Sequence, residues 1–211
     1  MAASVRIEAK QVMDWLVRDW QWPAATLFAA YAMLLATPVW LHVAGVAVTL
    51  VFLQLPLYMV HQFEEHAGDR FRIYMNRNVA GCEALTRVGT FWINALGVWG
   101  LDIVMLYLAV FVDLSFALAA FYLPIVNALT HIREAVARRE YNPGLWTSLV
   151  LFLPIGGWGL YKVSVESGAT WGDQVMGAGI AIAVHVAIIV YVVLRVRHLR
   201  SGSTASPSPA R

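Results

Sequence analysis

The sequence predicts an all-α, polytopic membrane helix bundle of about six transmembrane helices with both termini on the cytoplasmic side. Three observations carry that prediction. Hydrophobic residues make up 60% and charged residues only 13% of the 211 positions, whereas roughly a quarter of a soluble domain is charged. Apolar runs recur along the chain, each long enough for the ~20 residues that cross a hydrocarbon core. Lys and Arg collect in alternate joints, as the positive-inside rule asks of cytoplasmic loops.

Each element follows from local pattern. Residues 1–21 mix Arg6, Glu8, Lys10, Asp14, Arg18 and Asp19 with apolar positions, so they present no secretory h-region. Val5, Val12, Met13, Trp15, Leu16 and Trp20 instead suit an interfacial amphipathic helix. The membrane bundle is expected over 22–200. Its first apolar block, from about Trp22 to Val60, is nearly twice one span, and Pro38 offers the break that divides it. Further spans are expected at about Thr90 to Val112, Leu114 to Ala137, Leu145 to Val163 and Gln174 to Val196. Asn142-Pro143-Gly144 reads as a turn, and Gly156-Gly157 as a point of close helix contact or a bend. The Ser/Pro-rich tail 201–211 has little to bury and is expected to be disordered.

Charge placement supports the count. Arg6, Lys10 and Arg18 precede the first span; Arg70, Arg72, Arg77 and Arg87 lie between the second and third; Arg133, Arg138 and Arg139 follow the fourth; Arg195, Arg197 and Arg200 follow the sixth. The opposite side holds only Lys162. These features point to a multi-pass protein of the plasma membrane. The formal net charge of +2 gives no support to a nucleic-acid partner. The single cysteine, Cys82, builds neither a disulfide framework nor a thiolate metal site.

Chemistry concentrates where a membrane chain ordinarily avoids it. His61, Glu64 and Glu65 stand at i, i+3 and i+4, and Gln54, Tyr58, His61 and Glu65 form a polar stripe along the second span. The fourth span carries Asn127, Thr130, His131 and Glu134 on one face, near the same membrane surface. His185 sits near the middle of the sixth. Ionisable groups in a membrane usually face the bundle interior with a partner. Adjacent Glu64 and Glu65 would repel if both were buried and ionised, so a proton or a cation is needed. A divalent metal, zinc or iron, suits mixed imidazole and carboxylate ligands, which makes His61, Glu64, Glu65, His131, Glu134 and His185 the candidate metal ligands. Glu64, Glu65 and Asn127 are the candidate catalytic groups.

Plainer readings stand beside this one. His61, Glu64 and Glu65 also fit a solvated helix end. Asn127, His131 and Glu134 fit interhelical hydrogen bonding with a salt bridge to Arg133 or Arg138, and His185 fits a packed histidine. His66, Asp69 and Arg70 are outer-shell candidates, and His42 and His198 sit at span ends. Asp102 lies mid-span, with Asn94 two turns before it on a similar side.

At these residues the chain resembles the HXXEE-domain membrane proteins. The family's motif stands here as His61-Gln62-Phe63-Glu64-Glu65, and its second motif, Asn-x-x-x-His, as Asn127-Ala-Leu-Thr-His131. The resemblance covers roughly residues 25–195 and implies the site more than a reaction, since the family's function is unknown. A weaker similarity is to the intramembrane CAAX-processing proteases, whose paired glutamates are matched by Glu64-Glu65. Asp69 stands where that family has arginine, with Arg70 one place later, and Asn127 precedes His131 in the reverse of that family's order.

The expectation is therefore a membrane-embedded metal-dependent enzyme acting on a lipid or other hydrophobic small molecule, either a hydrolase or a di-iron oxidoreductase. With zinc, Glu64 or Glu65 would serve as general base. The alternative is a proton- or metal-ion-coupled transporter using Gln54, Tyr58, His61, Asp102 and His185, and a third class is a structural or signalling subunit.

Overall fold

The computed structural model describes residues 21–204 together with Gln11, Val12, Asp14 and Trp15. The interfacial helix expected over 1–21 lies almost wholly outside the described residues, as do 205–211. Among the described residues the chain is helical, without strands. Six helices organise it: α1 (Trp22–Leu35), α2 (Thr37–His66), α3 (Arg87–Phe111), α4 (Leu114–Arg138), α5 (Leu145–Ser167) and α6 (Trp171–Thr204). Five stretches, Thr37–Ala80 and α3 to α6, are long and apolar enough to cross a membrane, and α1 is a shorter apolar helix. The protein is thus a multi-pass membrane helix bundle. Helix α6 continues to Thr204, past the residue where the tail is expected to begin.

The first hairpin does not turn where Pro38 suggests. Ala36 stays in the right-handed helical region (φ −81, ψ −6) and Pro38 sits in the first turn of α2, where the missing N–H costs little. The reversal comes at Gly45 (φ 75, ψ −178), a conformation open to glycine because it has no Cβ. Ring contacts pair residues symmetrically about that point: Trp40 stacks on Phe52 with centroids 4.6 Å apart, and Trp22 meets His66 at 5.0 Å. Trp22 is thereby brought from the start of α1 to the polar end of α2.

Helix α4 forms the centre of the bundle. Leu118, Ala119, Ala120, Phe121 and Leu123 are buried. Small residues on the neighbouring helices let backbones approach them, as expected in a membrane where burial from lipid gives little driving force. A Cβ at Gly159 would lie 2.1 Å from Phe121 Cε1, one at Gly177 3.0 Å from Leu118 Cβ, and one at Gly156 3.2 Å from Ile125 Cγ1. The expected close contact at the Gly156-Gly157 pair belongs to Gly156, since no heavy atom lies within 4 Å of a Cβ at Gly157.

Helix starts are locally capped. Thr86 Oγ1 accepts from Gly89 N at 3.0 Å, and Asp113 Oδ1 accepts from Ser115 N at 2.8 Å. Its bonds to Ser115 hold the exposed Asp113 carboxyl below the usual carboxylate range. After His66 the chain bends through left-handed Gly68 and Asp69. The Asp69 carboxylate is held there by Arg72 at 2.6 Å and Arg87 at 3.1 Å. Helix α2 meets α3 through Gln62 and Asn94, α4 through Glu65 and His131, and the start of α5 through Glu64 and Thr147.

Candidate metal centre

Helix α2 places His61 above Glu65 by the i, i+4 rule, and α4 brings His131 across to meet them. His61 is 0% exposed, Glu65 5% and His131 5%. One ligand atom from each lies within 4.8 Å of the other two. His61 Nε2 is 3.5 Å from Glu65 Oε2, and His131 Nε2 is 3.1 Å from Glu65 Oε1.

Hydrogen bonds on the far side of each ring determine which nitrogen carries the proton. His61 Nδ1 lies 2.7 Å from Thr147 Oγ1, whose own proton goes to Glu64 Oε2 at 2.6 Å. A carboxylate only accepts, so the hydroxyl receives the His61 Nδ1–H and Nε2 is left with its lone pair. Among the described residues His61 Nε2 has no hydrogen-bond partner. For His131, Asn142 Nδ2 donates to the His131 backbone carbonyl at 2.9 Å, which turns Asn142 Oδ1 to His131 Nδ1 at 2.6 Å. Again Nδ1 donates and the Nε2 of the neutral ring is bare. With both rings neutral, two lone pairs and a buried carboxylate converge, an arrangement that calls for positive charge at that point, either a cation or a proton on one of the rings. These residues fit a borderline divalent ion, with imidazole tautomers set by outer partners as in known metal sites.

The loop between α4 and α5 roofs this cluster. Gly144 has φ +102, and a Cβ there would lie 2.7 Å from His131 Cε1, 2.8 Å from His61 Cε1 and 2.9 Å from Glu65 Cγ. Both the backbone conformation and the space demand glycine. Glu64 clamps the loop: its carboxylate accepts from Tyr141 Oη at 2.9 Å, Trp146 N at 3.1 Å, Thr147 N at 2.8 Å and Thr147 Oγ1 at 2.6 Å. A carboxylate against the free N–H groups at the start of α5 is favourable placement. Burial and the bond to Glu64 push the Tyr141 phenol up to about 12.

Several expected site residues are placed elsewhere. Glu64 is not in the cluster, because consecutive residues project about 100° apart on a helix and only one of the pair can face inward. Glu134 pairs with Arg138 one turn on. Asn127 Oδ1 is buried and has no hydrogen-bond partner among the described residues. His185 Nδ1 bonds the Ala181 carbonyl at 2.8 Å, and the ring also lies outside the three-residue group. His66, expected further out, touches Glu65 Oε2 through Nε2 at 3.2 Å. Asn142, Gly144 and Thr147 are site residues that sequence reasoning reads only as a turn and a helix start. Their sole sequence signal is Asn142-Pro143-Gly144, which announces a turn but not what it covers.

A family described as "Protein of unknown function with HXXEE motif" matches residues 52–159, just over half of the chain. The chain belongs to the HXXEE family. The matched region holds His61, Glu65 and His131 together with the roof loop, and stops short of His185. The weaker similarity to CAAX-processing proteases finds no support. No curated protein and no solved structure matches the chain.

Proposed function

We propose that the protein is a membrane-embedded, metal-dependent enzyme acting on a lipid or other hydrophobic substrate, and that it resides in the plasma membrane. The observation that supports this reading best is the convergence of two bare imidazole nitrogens on the Glu65 carboxylate. His61 Nε2, His131 Nε2 and Glu65 would hold zinc or iron, and three protein ligands are the pattern of catalytic rather than structural sites. When bound, such an ion supplies Lewis acidity to a substrate carbonyl or phosphoryl oxygen, or redox chemistry if it is iron. Thr147 and Asn142 hold the two rings in their ligand tautomers, and Glu64 keeps Thr147 in place. The Glu64 carboxylate is committed to four donors, which argues against its use as a general base.

The roof at Gly144 favours entry from the side of the bundle over entry through the loop. A hydrophobic substrate is further supported by an apolar groove of about 540 Å³ between α1 and α2, lined by Ala24, Leu27, Phe28, Tyr31, Leu34 and Val60. The test is metal analysis of the purified full-length protein beside His61→Ala and His131→Ala. One equivalent of zinc or iron is expected in the wild type and loss in both variants; metal-free wild type would defeat the proposal. Incubating the loaded protein with membrane lipid extract and analysing products by mass spectrometry then separates hydrolysis from oxidation.

Transport is a second reading, favoured by Asp102. This mid-membrane residue is 2% exposed, and among the described residues neither of its carboxyl oxygens has a partner. Uptake of zinc or protons into proteoliposomes, abolished by Asp102→Leu, would select it over the enzyme.

A further inference from the structure

The three candidate ligands are closed off from water, so an ion needs a way in. His61, Glu65 and His131 are all buried. Toward the membrane interior, the Phe152 ring lies 4.3 Å from that of His61 and 4.6 Å from that of Tyr58. Beside the cluster α2 is bonded to α3, where Gln62 Nε2 donates to Asn94 Oδ1 at 2.9 Å and Trp99 Nε1 donates to Gln62 Oε1 at 2.6 Å. Phe71 stands against His131 and His66, with ring centroids 6.1 and 5.6 Å away. The α4–α5 loop lies over the whole group.

These covers are not equivalent. The side of the bundle serves a hydrophobic substrate, but a divalent ion must come from water, because charge is costly within the hydrocarbon layer. Among the described residues that leaves Phe71 and the loop. Phe71 borders one candidate ligand, His131. Gly144 borders all three: a Cβ there would meet His131 Cε1, His61 Cε1 and Glu65 Cγ within 2.9 Å. Backing this one residue away uncovers the full set. The loop is also built to swing, since Arg139 at φ 55 and Gly144 at φ 102 bracket its first half, and a few residues at element ends absorb the backbone change in hinged segments. Its outer ties run to one carboxylate. Glu64 accepts from Tyr141 Oη, Trp146 N, Thr147 N and Thr147 Oγ1, and Tyr141 and Trp146 are exposed, so water competes for these bonds.

We infer that the α4–α5 loop is the gate through which the ion enters and leaves, with Glu64 as its latch. The inference rests on the metal reading above and adds a function for the carboxylate that does not ligate. The latch holds the loop shut whether the site is empty or filled, so weakening it makes opening more frequent in both states. Uptake and release then quicken together, while the affinity, which is their ratio, barely moves. A mere prop for the ligands behaves otherwise, because its loss speeds release without speeding uptake.

The experiment measures zinc uptake and release by stopped flow with a fluorescent chelator, in full-length wild type, Glu64→Gln, Tyr141→Phe and Phe71→Ala in detergent. A hydrogen bond to a charged group contributes on the order of a factor of 10 or more to an equilibrium, so both rates should rise about tenfold or more in Glu64→Gln. Tyr141→Phe should raise both by a smaller common factor, and Kd should stay nearly unchanged in each. Phe71→Ala should leave both rates as they are. Unchanged or slower uptake in Glu64→Gln overturns the inference, as does faster exchange in Phe71→Ala alone. Tyr141→Phe, which leaves Glu64 in place, decides the matter should Glu64→Gln fail to fold. Zinc-free wild type at equilibrium defeats the metal reading and the gate with it, whereas zinc bound with unaltered rates in the latch variants defeats the gate alone.

Discussion

Glu65 Oε1 lies 3.1 Å from His131 Nε2, although the neutral ring carries its proton on the opposite nitrogen, committed to Asn142 Oδ1 at 2.6 Å. In that neutral state two electron-rich atoms from different helices are held together inside a membrane protein. Both residues are 5% exposed, so bulk water has little access to that contact. The expected behaviour of the protein follows from supplying or withholding positive charge there.

Metal removal should destabilise the fold. A ligand that binds only the native state stabilises it by about 2.7 kcal/mol at 100 times Kd and about 4.1 at 1,000 times. Thermal unfolding in detergent should therefore shift upward with added zinc or iron and downward with chelator. His131→Ala should show neither shift; an unchanged melting temperature in the wild type would speak against ligation.

Gly144→Ala should disrupt the site from the roof. The variant must place a methyl group within 2.9 Å of all three candidate ligands and hold φ at +102. Non-glycine residues in such conformations cost about 1–3 kcal/mol before any clash is counted. Reduced melting temperature together with loss of metal is expected, and wild-type metal content in this variant would show that the loop does not cover the ligands.

The paired acids should behave differently. Glu65→Gln removes a candidate ligand and should abolish metal binding. Glu64→Gln should retain metal but loosen the loop, because the donors Tyr141, Trp146 and Thr147 lose a charged acceptor. Hydrogen exchange at Trp146 and Thr147 is the measurement, with faster exchange expected in Glu64→Gln alone.

Tyr141 gives the clamp a pH signature. Its phenol stands at about 12 in the fold against about 10 in an unfolded chain. A group whose native pKa is raised contributes stability that is complete below the unfolded value and lost as pH rises through the folded one. The clamp should therefore hold up to about pH 10 and weaken between about 10 and about 12. The difference in tyrosinate absorbance between wild type and Tyr141→Phe should titrate near the upper value, and Glu64→Gln should lower that midpoint.

Asp102→Leu should stabilise the bundle. An unpartnered buried polar group costs about 1–3 kcal/mol, and both Asp102 oxygens lack partners among the described residues. A higher melting temperature with unchanged metal content is expected from the enzyme reading; lost ion uptake would assign Asp102 to transport.

Much of the site was legible along the chain because it obeys helix periodicity. His61 and Glu65 lie one turn apart, and His131 lies one turn from Asn127 on a second polar face, so both helices advertise a buried stripe. Glu64 misleads because it sits beside Glu65 in sequence but about 100° away in space. Its partners, Tyr141, Trp146 and Thr147, come from a loop whose position no local pattern encodes. Pro38 misleads for a different reason: it is tolerated in the first turn of a helix, whereas the reversal needs the positive φ of Gly45.

Composition and hydropathy by themselves determined a multi-pass helical bundle, since the absence of water in a bilayer leaves apolar segments of this length few alternatives to helix. The i, i+4 spacing determined that an imidazole and a carboxylate share one face of α2. Only the tertiary structure decided that His131 joins them, that the α4–α5 loop closes over them, and that each ring turns its bare nitrogen inward. Those outcomes depend on hydrogen bonds between residues far apart in the chain, whose direction is set by which partner can donate and which can only accept.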